Sequence, residues 1–318
     1  MGHDLKLRSL RALQLPKSSP ETRMIPESPF LLGGQIHCTT TVLTRSISKN
    51  KAVLPPTVKL IDSLQNLPHL DAFDAVINLA GEAIIDKRWS NKQKQVICQS
   101  RWQLTQQLVA LFACSQKPPA VFLSGSAVGV YGDRGDEVLS EDSVVQECDF
   151  PTKVCLRWED IAMQAEPYTR VVLLRTGIVL APHGGALAKM LLPFKLCFGG
   201  RIGNGQQYMS WIHYQDHINA MHCLLTEKSI SGAVNMVSPA AETNRVFTQT
   251  LARSLHRLAI LPMPKSILRY LLGESSCLLL DSQKVVPQKL LESGFNFTFH
   301  NLKSAFVDVL THTPNERS

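Results

Sequence analysis

The sequence predicts an α/β protein built on a mostly parallel sheet with helices on both faces, followed by a smaller α+β region. Three observations carry this expectation. Short apolar runs without charge, Ala75–Ile77, Val121–Leu123 and Val171–Leu174, read as strands buried on both faces. The first two open into turns of small and polar residues, Asn78–Glu82 and Ser124–Gly132. Between them Trp102, Leu104, Leu108 and Leu111 recur at helical spacing. Strands alternating with helices imply right-handed crossovers and hence parallel neighbours.

Taken in order, residues 1–35 hold Pro16, Pro20, Pro26 and Pro29 and no convincing periodicity. They are expected to be loosely ordered, with one short helix near Leu5–Leu15. Regular patterning starts near Thr41, with strands over Val42–Ser46 and Val58–Ile61, and with Asp74–Glu82 as a buried strand opening into a glycine turn. Ser90 caps a long helix ending near Cys114. The Val121 strand, an acidic loop (Asp133–Asp149), a helix over Lys153–Ala165 and a strand over Arg170–Arg175 follow. Beyond Thr176 the pattern predicts helices over Gly184–Cys197, Asp216–Leu225, Thr243–Leu255, Pro264–Leu272, Val286–Ser293 and Leu302–Leu310. Strands are expected over Met209–His213, Ala233–Val237 and Phe295–Phe299.

The 318 residues suffice for one large α/β domain or two unequal ones, and 44% apolar content fits a globular protein. No apolar run approaches the roughly 20 residues that span a bilayer. Asp4 and Glu21 weigh against a transit peptide, so a cytoplasmic protein is expected, without a membrane partner. The net charge is +7, but basic and acidic residues mix through 86–101 and 253–289, which reads as solvated surface. That argues against nucleic-acid binding, which needs a contiguous basic face. The eight cysteines show no metal-ligand spacing and read as reduced, mostly buried thiols; no metal site is expected.

The chemistry is expected at Ser124, Ser126 and Tyr131. In an open α/β sheet, ligands bind outside the carboxyl ends of the strands. Hydroxyls there can hydrogen-bond a sugar or polarise a carbonyl, although an ordinary polar strand end has the same composition.

Four segments, Asn78-Leu-Ala-Gly-Glu82, Ser124-Gly-Ser-Ala-Val-Gly129, Leu174-Arg-Thr-Gly-Ile-Val-Leu180 and Trp211-Ile-His-Tyr-Gln-Asp216, occur in an order that resembles a known family. Asp86-Lys-Arg-Trp89, Gly184-Gly-Ala-Leu-Ala-Lys-Met190 and Gln283-Lys-Val-Val-Pro-Gln-Lys-Leu290 add to the likeness. The family is the atypical extended short-chain dehydrogenase/reductase group of YfcH-type, NAD(P)-dependent epimerase-like proteins, and the likeness covers roughly Val42 to Leu310. It implies a Rossmann-like cofactor domain over 36–180, a substrate domain over 181–310 and a tail at 311–318. The implied activity is that of an NAD(P)-dependent epimerase or oxidoreductase on a sugar or nucleotide-sugar-like molecule. NADP(H) is the expected cofactor and NAD(H) the alternative.

By the same resemblance, Thr44 and Arg45 meet the adenosine ribose and its 2′-phosphate, a role that suits a guanidinium fork. Leu79, Ala80, Gly81 and Glu82 pass under the ribose and pyrophosphate; Arg101, Ser124 and Arg175 also face the cofactor. Ser124, Ser126 and Tyr131 are the catalytic candidates. Arg201, Gln207, Trp211 and His213 are the substrate candidates, although Trp211 also suits a core and His213 a packed strand end. Asp216 reads as a helix cap.

Two departures stand out. The Tyr-x-x-x-Lys pair of ordinary relatives falls near Pro151 and Cys155, neither able to transfer a proton in that role. No glycine-rich turn that would hold the pyrophosphate exists in residues 1–41; Gly33-Gly34 is at best a remnant. A missing first strand would leave its two neighbours with unpaired backbone unless residues 1–35 build a substitute. Both departures count against cofactor binding and keep a second reading open: a non-catalytic, dinucleotide-binding or decayed relative that acts through protein partners.

Overall fold

A computed structural model of the chain describes residues 8–12, 39–51, 54–182, 185–196, 198–259 and 261–312. Its elements begin with β1 (Arg8–Ala12), β2 (Thr39–Leu43), α1 (Ile47–Lys51), β3 (Lys59–Ile61), β4 (Ala75–Asn78) and α2 (Asn91–Cys114). There follow β5 (Val121–Ala127), β6 (Val138–Leu139), α3 (Phe150–Met163), β7 (Arg170–Thr176), β8 (Ile178–Leu180) and α4 (Gly185–Lys195). Next come β9 (Tyr208–Met209), β10 (Trp211–His213), α5 (Tyr214–Thr226), β11 (Gly232–Met236), β12 (Glu242–Thr243) and α6 (Asn244–Ser254). The last are α7 (Lys265–Leu272), α8 (Cys277–Leu280), β13 (Lys284–Val285), α9 (Gln288–Glu292) and α10 (Leu302–Thr311).

Seven strands form a mostly parallel sheet in the order β11-β7-β5-β4-β1-β2-β3. The registered pairs among β1 to β5 are all parallel. This is the order of a doubly wound sheet whose first strand is central. β1 occupies that position, with Ser9 opposite both Thr40 and Ala75. The helix expected near Leu5–Leu15 is therefore a strand at Arg8–Ala12. Local patterning could not reveal it, because its backbone groups are satisfied from two sides by β2 and β4, with partners as distant in sequence as Ser9 and Ala75. Gly33-Gly34 lies outside the described residues.

The chain forms two compact units. The first draws on Met1–Ile84, Lys94–Gly125 and Arg157–Leu173; the second on Ile85–Gln93, Ser126–Leu156 and Leu174–Ser318. In the first, Val76, Phe122 and Leu173 of the sheet pack with Leu108 and Phe112 of α2 and Ala162 of α3. The Phe112 and Phe122 rings lie 5.2 Å apart. In the second, Leu187, Leu191 and Phe194 face Phe247 and Leu251 of α6 and Phe306 of α10. The Phe247 and Phe306 rings meet edge to face at 5.1 Å, a favourable aromatic geometry.

Three further expectations change. Phe295–Phe299 is irregular: the backbone N–H groups of Thr298 and Phe299 each donate to the Asp216 carboxylate at 2.9 Å, where a strand would need a partner. Asp216 is accordingly a buried anchor in the first turn of α5, and His213 is the cap, its Nδ1 accepting from the Gln215 N–H at 3.2 Å. Among the described free cysteines only Cys155 is fully buried, while Cys114 and Cys148 are exposed.

Candidate functional site

In the first unit Asn78, the last residue of β4, lies opposite Ser124, the fourth of the seven residues of β5; the strand runs on to Ala127 instead of giving way to a turn at Ser124. Both residues are fully buried. Asn78 donates through Nδ2 to the Thr105 hydroxyl at 2.9 Å, and its Oδ1 accepts from the Ala80 N–H at 3.2 Å. The first bond ties β4 to α2; the second shapes the exit turn through Leu79, Ala80 and Gly81. Thr105 also accepts from the Trp158 indole at 2.9 Å and donates to the Arg101 carbonyl at 2.7 Å. Its hydroxyl therefore uses its donor and both acceptor positions. Gly125 has to be glycine, since a Cβ there would lie 2.7 Å from the Trp158 ring. Sequence reasoning assigned no role to Thr105 or Trp158. An Asn ending an apolar strand signals that some buried partner exists, but nothing local names it.

Ser124 differs from these neighbours. Its hydroxyl is buried and has no hydrogen-bond partner among the described residues. Buried polar groups are nearly always paired, so this one stands out as a ligand-facing candidate. Ser126, two residues on, shares the same side of β5 by strand alternation and is also buried.

Around the turn after β2, Thr44 accepts at Oγ1 from the Ser46 N–H at 3.2 Å and from the Asn50 amide, which commits it to the turn into α1. Arg45 projects outward with its side chain 61% exposed; the Glu82 carboxylate is 4.0 Å away. The Glu82 N–H donates to Ser100 Oγ at 2.9 Å. Arg101 lies over the Trp158 ring at 5.3 Å and donates to the Ile97 carbonyl at 3.1 Å. Its guanidinium occupies the space a Cβ on Gly81 would need. Arg101 is thus a packing group beneath the turn.

In the second unit Tyr131 and Arg175 belong to a closed polar network. Arg175 donates to the Tyr131 hydroxyl at 3.0 Å, and its guanidinium lies over that ring at 5.1 Å. The Tyr131 hydroxyl has Asn235 Oδ1 at 2.8 Å and the Ser140 carbonyl at 3.0 Å as acceptors. Burial pushes the Tyr131 pKa above the ordinary phenol value despite the adjacent guanidinium. Glu141 underlies the network: its carboxylate accepts from the backbone N–H groups of Asn235 at 2.9 Å, Gln288 at 3.1 Å and Lys289 at 3.4 Å. Burial raises its pKa too, opposed by those hydrogen bonds.

The substrate candidates separate. Gln207 borders a cavity of about 420 Å³ whose wall includes Asp133, Asp136, Asn204, Lys265 and Ser282. Its Nε2 donates to the carbonyls of Leu279 at 3.1 Å and Ile202 at 3.3 Å, while Oε1 is buried and unpaired among the described residues. Arg201, Trp211 and His213 are not among the residues lining that cavity. Trp211 is fully buried in the hydrophobic core. His213 caps α5, stacks on Phe299 at 3.6 Å and contacts Asp308 through Nε2 at 3.1 Å. Since Nδ1 accepts, the ring proton sits on Nε2, and burial lowers the pKa in favour of that neutral form. Pro151 and Cys155 are buried in α3, and Lys153 is exposed beside Glu147 at 3.8 Å. α3 therefore brings neither a phenol nor an ammonium to the ordinary catalytic positions.

Asp281 titrates unusually, its pKa raised to about 6 by burial and by Asp133 and Asp149, with Arg269 opposing. A carboxyl whose folded pKa is raised holds its proton more tightly when folded. Its contribution is complete below the unfolded value near 4 and is lost as pH rises through about 6. Asp281→Asn is expected to remove that loss, gaining about 1 kcal/mol over wild type at neutral pH after allowance for solvent screening. Paired denaturant titrations across this pH range check it; parallel pH curves for the two proteins would refute the assignment.

Among the described residues, no helix is long and apolar enough to cross a membrane. Comparison with known proteins matches residues 36–236 to the NAD dependent epimerase/dehydratase family and residues 263–309 to a domain of unknown function, DUF1731. The chain is 38% identical over 273 residues to an epimerase family protein of Staphylococcus haemolyticus, covering 85% of this chain and 90% of that one. It is 42% identical over 240 residues to an epimerase family protein of Staphylococcus aureus strain MW2, covering 74% and 79% respectively. Among solved structures it is similar to the human epimerase family protein SDR39U1 (isoform 2) with NADPH, at TM-score 0.79 and 31% identity, covering 86% of this chain and 92% of that one. A nucleoside-diphosphate sugar epimerase from Corynebacterium glutamicum aligns at TM-score 0.68 and 25% identity, covering 97% of this chain and 59% of that one.

Proposed function

The chain belongs to the NAD-dependent epimerase/dehydratase family, and from that premise we propose an NADP(H)-dependent epimerase or oxidoreductase acting on a sugar or nucleotide-sugar-like carbonyl or alcohol. The observation that carries the reading is the buried Ser124 hydroxyl, without a hydrogen-bond partner among the described residues, which lies midway along β5 opposite Asn78 at the carboxyl end of β4. This is where ligands of open α/β sheets bind, and the hydroxyl has a donor to offer. The human relative crystallised with NADPH supports the choice of cofactor. A bound nicotinamide would supply and take back hydride.

The residues of this chain would divide the remaining work. Arg45, exposed after β2, offers a guanidinium to a 2′-phosphate. The turn at Leu79–Gly81, backed by Arg101, presents backbone close to the dinucleotide. Ser124 and Ser126 orient the reacting oxygen, and Ser124 holds a hydrogen bond to it. Tyr131 and Arg175, committed to each other, position the segment after β5.

Titration of NADPH and NADH against the wild type and Arg45→Ala tests the reading. The wild type is expected to prefer NADPH, and the variant to lose about 10-fold in NADPH affinity with little change for NADH. Equal wild-type affinities would refute the role of Arg45.

The non-catalytic reading keeps one observation in its favour: α3 carries Pro151 and Cys155 at the positions where the sequence resemblance implies a Tyr and Lys pair. The two readings separate in thermal unfolding. Saturation at 100 times the dissociation constant stabilises by about 2.7 kcal/mol, so no shift with millimolar NADPH or NADH would favour the protein that has lost its cofactor.

A further inference from the structure

The second unit carries an apolar, cationic surface that the proposed reaction does not use. From Thr243 to Gly273 the chain contains Arg245, Arg253, Arg257, Lys265 and Arg269 and no acidic residue. Residues 167–215 likewise contain no Asp or Glu. The mixture of signs expected over 253–289 holds only beyond Gly273, where Glu274 and Asp281 stand.

These stretches adjoin in space. Met263 donates to the Arg201 carbonyl and accepts from the Gly203 N–H, both at 2.9 Å, and Ile202 bridges to Met263. Gly200 lies directly against the Leu261 carbonyl.

Each segment shows large apolar side chains to solvent. α4 buries Leu187, Leu191 and Phe194, which leaves Leu192 on its outer side; Leu196 and Phe198 follow it, the latter 66% exposed. Leu258 and Leu261 are exposed on the neighbouring segment. α7 buries only Leu268 and exposes Ile267, Tyr270 and Leu271, an i, i+3, i+4 stripe in which Tyr270 is 82% exposed. Lys195 at the end of α4, Arg253 in α6 and Arg257 just before Leu258 are exposed and join no salt bridge among the described residues. Arg269 and Lys265 lie nearer acids, Arg269 beside Asp281 and Lys265 in the cavity wall with Asp133.

We propose that this face docks on an anionic phospholipid surface, with α7 and the end of α4 lying in the headgroup layer. Apolar side chains interleaved with cations, and a Tyr at the boundary, are what interfacial adsorption uses. The charge selects the occupant. A two-fold contact with a second copy would set Lys195, Arg253 and Arg257 against the same cations, whereas anionic lipid neutralises them. Adsorption of this kind needs no spanning helix.

The test is vesicle flotation with the full chain, using phosphatidylcholine vesicles with and without about one-third phosphatidylglycerol. The wild type is expected to float with the anionic vesicles and to be released at high salt. Phe198→Glu/Tyr270→Glu is expected to weaken partitioning about 10-fold or more. Lys195→Gln/Arg253→Gln/Arg257→Gln is expected to weaken it about 100-fold. NADPH-dependent thermal stabilisation of both variants reports on folding and on the cofactor reading separately, and it should equal that of wild type. The inference is overturned by failure to float with anionic vesicles, or by partitioning that neither variant changes. A dimer in solution that Phe198→Glu/Tyr270→Glu dissolves, with no vesicle binding, would assign the face to a second copy and equally overturn it.

Discussion

Glu141→Ala is expected to destabilise the protein by about 3–5 kcal/mol, among the largest effects of any single substitution in the second unit. The carboxylate accepts from three backbone N–H groups, at the start of α9 and within β11. Removing it leaves those donors without a partner where water has little access. Glu141→Gln keeps the acceptor oxygen but turns one of its positions into a donor facing N–H groups, so an intermediate loss is expected. Denaturant midpoints for the two variants check this; a loss under 1 kcal/mol for Glu141→Ala would show that the network relaxes around the gap. Because Tyr131 and Asn235 share the network, mutations there should be strongly non-additive with Glu141→Ala.

Ser124→Ala is expected to do the opposite: to lower kcat about 100-fold while leaving stability unchanged or slightly higher. A hydroxyl that donates to the substrate's reacting oxygen contributes mainly in the transition state, so kcat and kcat/KM should fall together. The same hydroxyl is buried without a hydrogen-bond partner among the described residues, and its removal relieves a desolvation cost. The combination is diagnostic, since a merely structural serine would lose stability and keep kcat. Steady-state kinetics on a sugar-nucleotide panel, together with a melting curve, provide both readings. A stability loss without a kinetic effect would remove Ser124 from the site.

Legibility differed from residue to residue. The strands at Ala75, Val121 and Arg170 were readable because each is apolar, uncharged and followed by small polar residues. β1 was not, since Arg-Ser-Leu-Arg-Ala has no strand pattern of its own and is held by pairing on both edges. Phe295–Phe299 erred the other way: its alternation looks like a strand, yet its donors are taken by Asp216. At the site, the Ser124 hydroxyl was visible after an apolar run, but its place inside β5, and its lack of a partner among the described residues, depend on everything packed around it. Arg175 and Tyr131 were both recognised as chemically capable groups; that they bind each other was not readable at a separation of 44 residues. His213 shows the same limit, its tautomer and neutrality being set by Gln215, Asp308 and Phe299.

Hydrophobic period, chain length and the order of short motifs were enough to determine the α/β class, the family and the strand ends on which chemistry was expected. These are properties of neighbouring residues, and burial and backbone geometry act on them locally. Tertiary structure alone decided which polar groups satisfy one another: Tyr131 with Arg175, Asp216 with Thr298 and Phe299, and, among the described residues, no partner for Ser124. A hydrogen bond has a reach of about 3 Å, and only the folded chain brings residues far apart in sequence within it.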